Sequence, residues 1–137
     1  MSSDSKVHGE ITITPPLKWR QIRAFMGGNP NAPTRLSESL RLVIEETTED
    51  TDDGVITTKT CDTVYPASME SHWGVVEALA LLGSLSKTHK YNGHFTIVDE
   101  YPEFDPGYIE AKRFTIINGK LVKADAVVTY RGWEEVK

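Results

Sequence analysis

Apolar and polar residues alternate through Glu10-Ile-Thr-Ile-Thr14, the pattern of a strand with one buried face. Pro15-Pro16 closes that run and suits a helix start, where a missing N–H costs nothing. Trp19, Ile22, Arg23 and Met26 follow at helical spacing, predicting a short helix over 17–26 that Gly27-Gly28 stops. The stretch 29–37, with two prolines, reads as a loop. Leu40, Leu42 and Ile44 share one face of a second strand, and a threonine- and valine-rich third strand covers 55–65. The segment 47–54 between them ends on Asp53-Gly54, a turn signal, so the two form a hairpin. A second helix is expected from about Ser68 to Ser86, with Val75, Val76, Leu79, Leu82 and Leu85 recurring every three or four residues. A fourth strand over 94–99 follows Gly93. Two more, over 108–117 and 121–130, flank Asn118-Gly119, a strong hairpin signal.

The order is β-α-β-β-α-β-β-β. Antiparallel pairs with two interspersed helices indicate an α+β fold: one mostly antiparallel sheet with both helices on one face. The first six elements have the order of a ferredoxin-like split βαβ unit, which the C-terminal hairpin extends. At 137 residues the chain is one domain, read as 9–137 behind a mobile polar tail over 1–8. No signal-peptide core is present, and the longest apolar stretch, Val75 to Leu85, is too short for a bilayer span. A cytoplasmic protein without membrane contact is the expectation. The second helix is more apolar than packing on one sheet requires. Trp73, Val76, Leu79 and Leu82 are therefore candidates for a homodimer contact, the first helix being the alternative cover.

The chain carries 15 Lys and Arg against 20 Asp and Glu, a formal charge of −5. That balance argues against broad phosphate-driven binding of nucleic acid or acidic membranes. The excess is local. Glu45, Glu46, Glu49, Asp50, Asp52 and Asp53 stand at the expected hairpin tip, and without them the remainder is nearly neutral. The calcium-loop template fails there, because Thr60 falls where a bidentate glutamate is required. A solvated turn and an electrostatic docking surface for a basic partner remain, and the second predicts association that slows with salt. A second acidic group, Asp99, Glu100, Glu103 and Asp105, is interleaved with Tyr101, Phe104 and Tyr108. Aromatic anchors inside a polar rim are the anatomy of a recognition patch; the plainer reading folds Tyr101 and Phe104 back onto the core edge. Trp133, after Gly132, is a further anchor.

No catalytic template is complete. His8, His72, His89 and His94 lack helical metal-ligand spacing. His72 beside Ser68 or Ser71 has no visible oxyanion element. Cys61, the single cysteine, forms no internal disulfide and carries no mark of activation. Its alternation groups it with Thr57, Lys59 and Thr63, which suggests the less buried side of its strand. Gly27-Gly28 follows a helix, whereas phosphate-cradling glycines precede one. No cofactor and no metal are implied. Lys18, Arg20 and Arg23 beside Trp19 form a basic helix face, the one local feature that would suit nucleic acid.

Gly9-Glu-Ile-Thr-Ile-Thr-Pro-Pro-Leu-Lys-Trp19 resembles a G-E-(I/L)-x-I-x-P-P-L-x-W stretch near the start of a family of small actinobacterial and actinophage proteins. The resemblance continues in the acidic segment 42–60 and in the glycine-strand segment 93–97, while 69–85 is more apolar than the family pattern. That family is a domain of unknown function, so the resemblance transfers no catalytic residue. It implies a phage or actinobacterial accessory protein made inside a bacterial cell. The leading expectation is a non-catalytic interaction module, a phage-encoded factor that binds and modulates a host protein. In it Glu45, Glu46, Glu49, Asp50, Asp52 and Asp53 steer, and Tyr101, Phe104 and Trp133 anchor. The rivals are a small enzyme or ligand binder using His72, His94 or Asp99 in a sheet–helix cleft, and a weak nucleic-acid binder.

Overall fold

The computed structural model describes residues 4–27, 37–68 and 74–137. Its strands are β1 (Asp4–Lys18), β2 (Leu40–Thr51), β3 (Gly54–Pro66), β4 (Lys90–Tyr101), β5 (Tyr108–Ile117) and β6 (Lys120–Thr129). Its helices are α1 (Trp19–Phe25) and α2 (Val75–Leu85), and a single 3-10 turn, Ser37–Ser39, leads into β2. All strands join one antiparallel sheet in the order β2-β3-β1-β4-β5-β6. The first four strands lie 2-3-1-4, the split βαβ arrangement, and the β5–β6 hairpin extends the β4 side. The α+β expectation and the element order both hold.

Alternation along β1 buries Val7, Ile11, Ile13 and Leu17 on one face. Val64 and Cys61 of β3, Phe95 and Ile97 of β4, and Phe114 and Ile116 of β5 continue that layer. Ile22 and Phe25 of α1 and Val75, Ala78, Leu79 and Leu82 of α2 close over it. α1 packs on β3 and β1, and α2 on α1, β5 and β6. The surplus apolar surface of α2 is thus taken up inside this chain. Leu79 and Leu82 are wholly buried, Val76 is half-buried, and Trp73 lies outside the described residues.

Several boundaries differ from the sequence reading, among them the start of α2, which lies at Val75 behind a left-handed Gly74 and not at Ser68, and the end of β2, which runs on to Thr51. β1 begins at Asp4, and residues 4–8, assigned there to a mobile tail, pair with β4 from Asp4 opposite Glu100 to His8 opposite Thr96. A partner strand distant in sequence supplies their hydrogen bonds, which no local pattern reveals. Pro15-Pro16 does not end β1: the pairing with β3 shifts register between Thr12 and Leu17 and resumes. An irregularity absorbs the missing N–H groups, so α1 starts at Trp19, where the Lys18 N–H donates to Gln21 Oε1 at 2.9 Å. Cys61 is fully buried, not on the less buried side, because that same shift and a second one between Val43 and Ile44 reset the alternation.

The hairpin of β2 and β3 outruns the helices. Every residue from Ile44 to Thr58 is exposed, on both faces of the ribbon. Two glycines hold β1 against β4. Gly9 (φ +132°) lies opposite Phe95, and Gly93 (φ +97°) opposite Ile11. A Cβ on Gly9 would strike the His94 carbonyl, and one on Gly93 the Glu10 carbonyl. Both obstacles are backbone and neither can move aside. Gly9→Ala or Gly93→Ala is expected to cost about 3 kcal/mol or more, from the left-handed φ and the backbone collision together. Urea denaturation checks this, with Gly54→Ala, at an open turn of positive φ, as the milder control.

Candidate interaction site

The segment between β4 and β5 turns back on itself so that Tyr101 faces Tyr108 across the ladder. Their rings stack with centroids 4.7 Å apart. Phe104 tilts onto both, at 6.3 Å from Tyr101 and 5.4 Å from Tyr108, within the range of favourable aromatic pairs. Pro102 and Pro106 brace the loop. The chain leaving β6 passes alongside, and Tyr130, Gly132 and Trp133 form the opposite wall of a groove of ≈ 570 Å³. Glu100, Glu103 and Asp105 also line it. Phe104 is half-exposed and Trp133 is 97% exposed, far from the burial expected of residues that cap a core. The structure therefore brings Phe104 and Trp133 to one groove, with Tyr101 stacked behind Tyr108.

The six hairpin carboxylates do not join them. Glu45, Glu46, Glu49 and Asp50 are strand residues opposite Thr60, Lys59, Ile56 and Val55, and only Asp52 and Asp53 occupy the turn. Alternation places Glu46 and Asp50 on one face and Glu45 and Glu49 on the other. The arm projects past the Lys18 end of β1, while the groove lies by its Asp4 end and on the opposite side of the sheet. The separation is about the length of β1, roughly 40 Å at strand rise. That is several Debye lengths at physiological salt, about 8 Å each. The arm's charge does not reach the groove.

Other candidates fall elsewhere. His94 and Asp99 differ in parity along β4, so they occupy opposite faces and share no point of action. The Ser5 hydroxyl donates to the Asp99 carboxylate. His72 lies outside the described residues. Lys18, Arg20 and Arg23 are exposed on and beside α1. The Lys59 ammonium sits 4.8 Å from the Trp19 ring centroid, with Glu46 on the same second cleft of ≈ 580 Å³. The sequence reading missed that cleft, because its lining comes from the β1–α1 junction at Lys18 and Trp19 and from Glu46 and residues 57–60 of the β2–β3 hairpin. Among the described residues there is no group of three or more His, Cys, Asp or Glu placed to hold a metal ion, and no helix long and apolar enough to cross a membrane.

An open antiparallel α+β sheet carrying an aromatic groove with an acidic rim defines the class of protein. Residues 1–136 match the model of a family of unknown function, DUF6205, and the chain belongs to that family. No curated protein and no solved structure matches it.

Cys61 offers a check on this placement. Burial is the largest influence on its thiol and pushes its pKa up, against a smaller opposing influence of the Thr63 backbone; the nearby Asp62 carboxylate raises it further. The unfolded thiol ionises near about pH 8.5, before the native one, so stability present below that pH is lost as pH rises, by up to about 1.4 kcal/mol per unit. Tyr91, also raised by burial, adds loss of the same sign at higher pH. Cys61→Ala is expected to flatten the decline of urea stability just above pH 8.5. The native thiol should resist Ellman's reagent at neutral pH until the chain unfolds.

Proposed function

We propose that the protein is a non-catalytic interaction module that docks a basic segment of a partner protein in the groove between the β4–β5 loop and the chain after β6. The observation that carries this reading is the convergence of Phe104, Tyr108, Tyr130 and Trp133 with Glu100, Glu103 and Asp105 on one concave surface. Exposed aromatic faces attract cations, and carboxylates at the rim add directional attraction and reject acidic partners. Aromatic side chains grouped in a pocket are also where binding energy concentrates in protein interfaces. The resemblance to actinobacterial and actinophage proteins favours a bacterial cell protein as the partner and a phage-encoded modulator as the biological role. The acidic arm acts as a separate element, on a partner large enough to reach the far end of the sheet.

Capture from a bacterial host lysate tests the proposal, with wild type compared against Phe104→Ala/Trp133→Ala. A stoichiometric protein is expected on the wild type and lost on the double variant, each truncation weakening binding by about thirtyfold. Neutralising the six arm carboxylates is expected to change the affinity of the groove by less than about twofold at physiological salt. A partner retained by the groove variant and released by the arm variant overturns the assignment.

A further inference from the structure

The two edges of the sheet are unlike. β2 forms one edge and carries Glu45, Glu46, Glu49 and Asp50, which repel a second strand of the same kind. β6 forms the other, with the sequence Lys-Leu-Val-Lys-Ala-Asp-Ala-Val-Val-Thr. Among the described residues no strand pairs its outer side. Lysines often protect such an edge, yet the charge of Lys123 is matched on its own face by Asp125, 3.4 Å away. Exposed apolar side chains also gather here. Val127 is 64% exposed, Val128 53%, and Ile117 of the neighbouring strand 55%. A long apolar edge strand of this kind is a template for pairing unless something covers it.

The geometry of the hairpin fixes which groups are free. Ile117 and Lys120 face each other across the two-residue turn Asn118-Gly119, and such a closing pair exchanges both of its hydrogen bonds. Lys120, Val122, Ala124, Ala126 and Val128 therefore turn their N–H and C=O groups toward β5. Leu121, Lys123, Asp125, Val127 and Thr129 turn theirs out of the edge.

We propose that β6 is the contact through which two copies of this chain pair, antiparallel, about a two-fold axis at Ala124. That register places Lys123 of each copy opposite Asp125 of the other, and Leu121 opposite Val127. The outward-facing backbone groups of the two strands then meet in hydrogen-bonded pairs. On the other face Ala124 meets its own copy and Val122 meets Ala126, with small side chains at the axis. No other symmetric register does this. An axis on Lys123 or Asp125 sets like charges together, an axis on Val122 sets Lys123 against Leu121, and an axis on Ala126 sets Asp125 against Val127 and Lys123 against Thr129. A self-complementary strand is what an isologous interface requires. Both helix layers fall on the same side of the continuous sheet, so each α2, which packs on β5 and β6, lies toward the axis.

Sedimentation equilibrium of the full chain, from micromolar to about millimolar, tests this. The wild type is expected to show a reversible monomer–dimer equilibrium. Asp125→Lys sets lysines against lysines and is expected to weaken the dimer by about tenfold or more. Lys123→Asp/Asp125→Lys exchanges the two charges and should restore it. Val127→Pro removes an outward N–H without touching the β5 ladder and should also dissociate the dimer, with circular dichroism confirming that the fold is kept. A wild type that stays monomeric throughout overturns the proposal, as does a dimer indifferent to Asp125→Lys and Val127→Pro. Failure of the charge exchange to rescue overturns the register. None of these outcomes bears on docking in the groove.

Discussion

β1 is the one strand on which both halves of the sheet depend. It pairs with β3 on one side and β4 on the other, so the β2–β3 hairpin and the β4–β5–β6 meander are joined through it. Its approach to β4 is set by Gly9 and Gly93, each occupying the space in which a side chain would meet the other strand's backbone. The two glycines stand on either side of the pairing between Glu10 and His94. Backbone cannot repack as side chains do, so this crossing constrains how the β4–β5–β6 meander joins the rest of the sheet.

The helices are too short to cover the sheet they pack on. α1 has 7 residues and α2 has 11, whereas β1 has 15. The core is therefore confined to the middle of one face, where Ile11, Phe95, Ile22, Phe25, Leu79 and Leu82 meet. What lies beyond the helices is left for other uses. One end is the acidic arm, another is the aromatic loop with the chain after β6, and the third is the open edge of β6. Buried side chains account for the fold, and these uncovered margins account for the surfaces available to partners.

The distance between margins matters as much as their composition. Charge at the arm is screened long before it reaches the groove, so the local field in the groove is set by the carboxylates beside it and not by the larger cluster. The net charge of the chain is accordingly a poor guide to either surface. A basic face at Lys18, Arg20, Arg23 and Lys59 sits near the root of the acidic arm, so opposite charges are neighbours at one end of the molecule.

Much of this fold is written locally. Alternation in 10–14, the Asp53-Gly54 and Asn118-Gly119 turns, and the helical spacing of Val75, Leu79 and Leu82 specify each element without reference to any other. The grouping of aromatic and acidic residues over 99–108 was equally legible, because the groove's first wall is one continuous segment. The pairing of residues 4–8 was not, since its partners lie in β4. The burial of Cys61 was not, because two irregularities in distant pairings reset the parity of β3. Nor was the joining of Trp133 to Phe104, or the separation of both from the acidic arm. Local propensity and turn chemistry act over a few residues, and the sequence by itself determined which strands and helices exist. Strand order and register come from contacts between residues far apart in the chain, and only the tertiary structure decided which of the candidate residues share a surface.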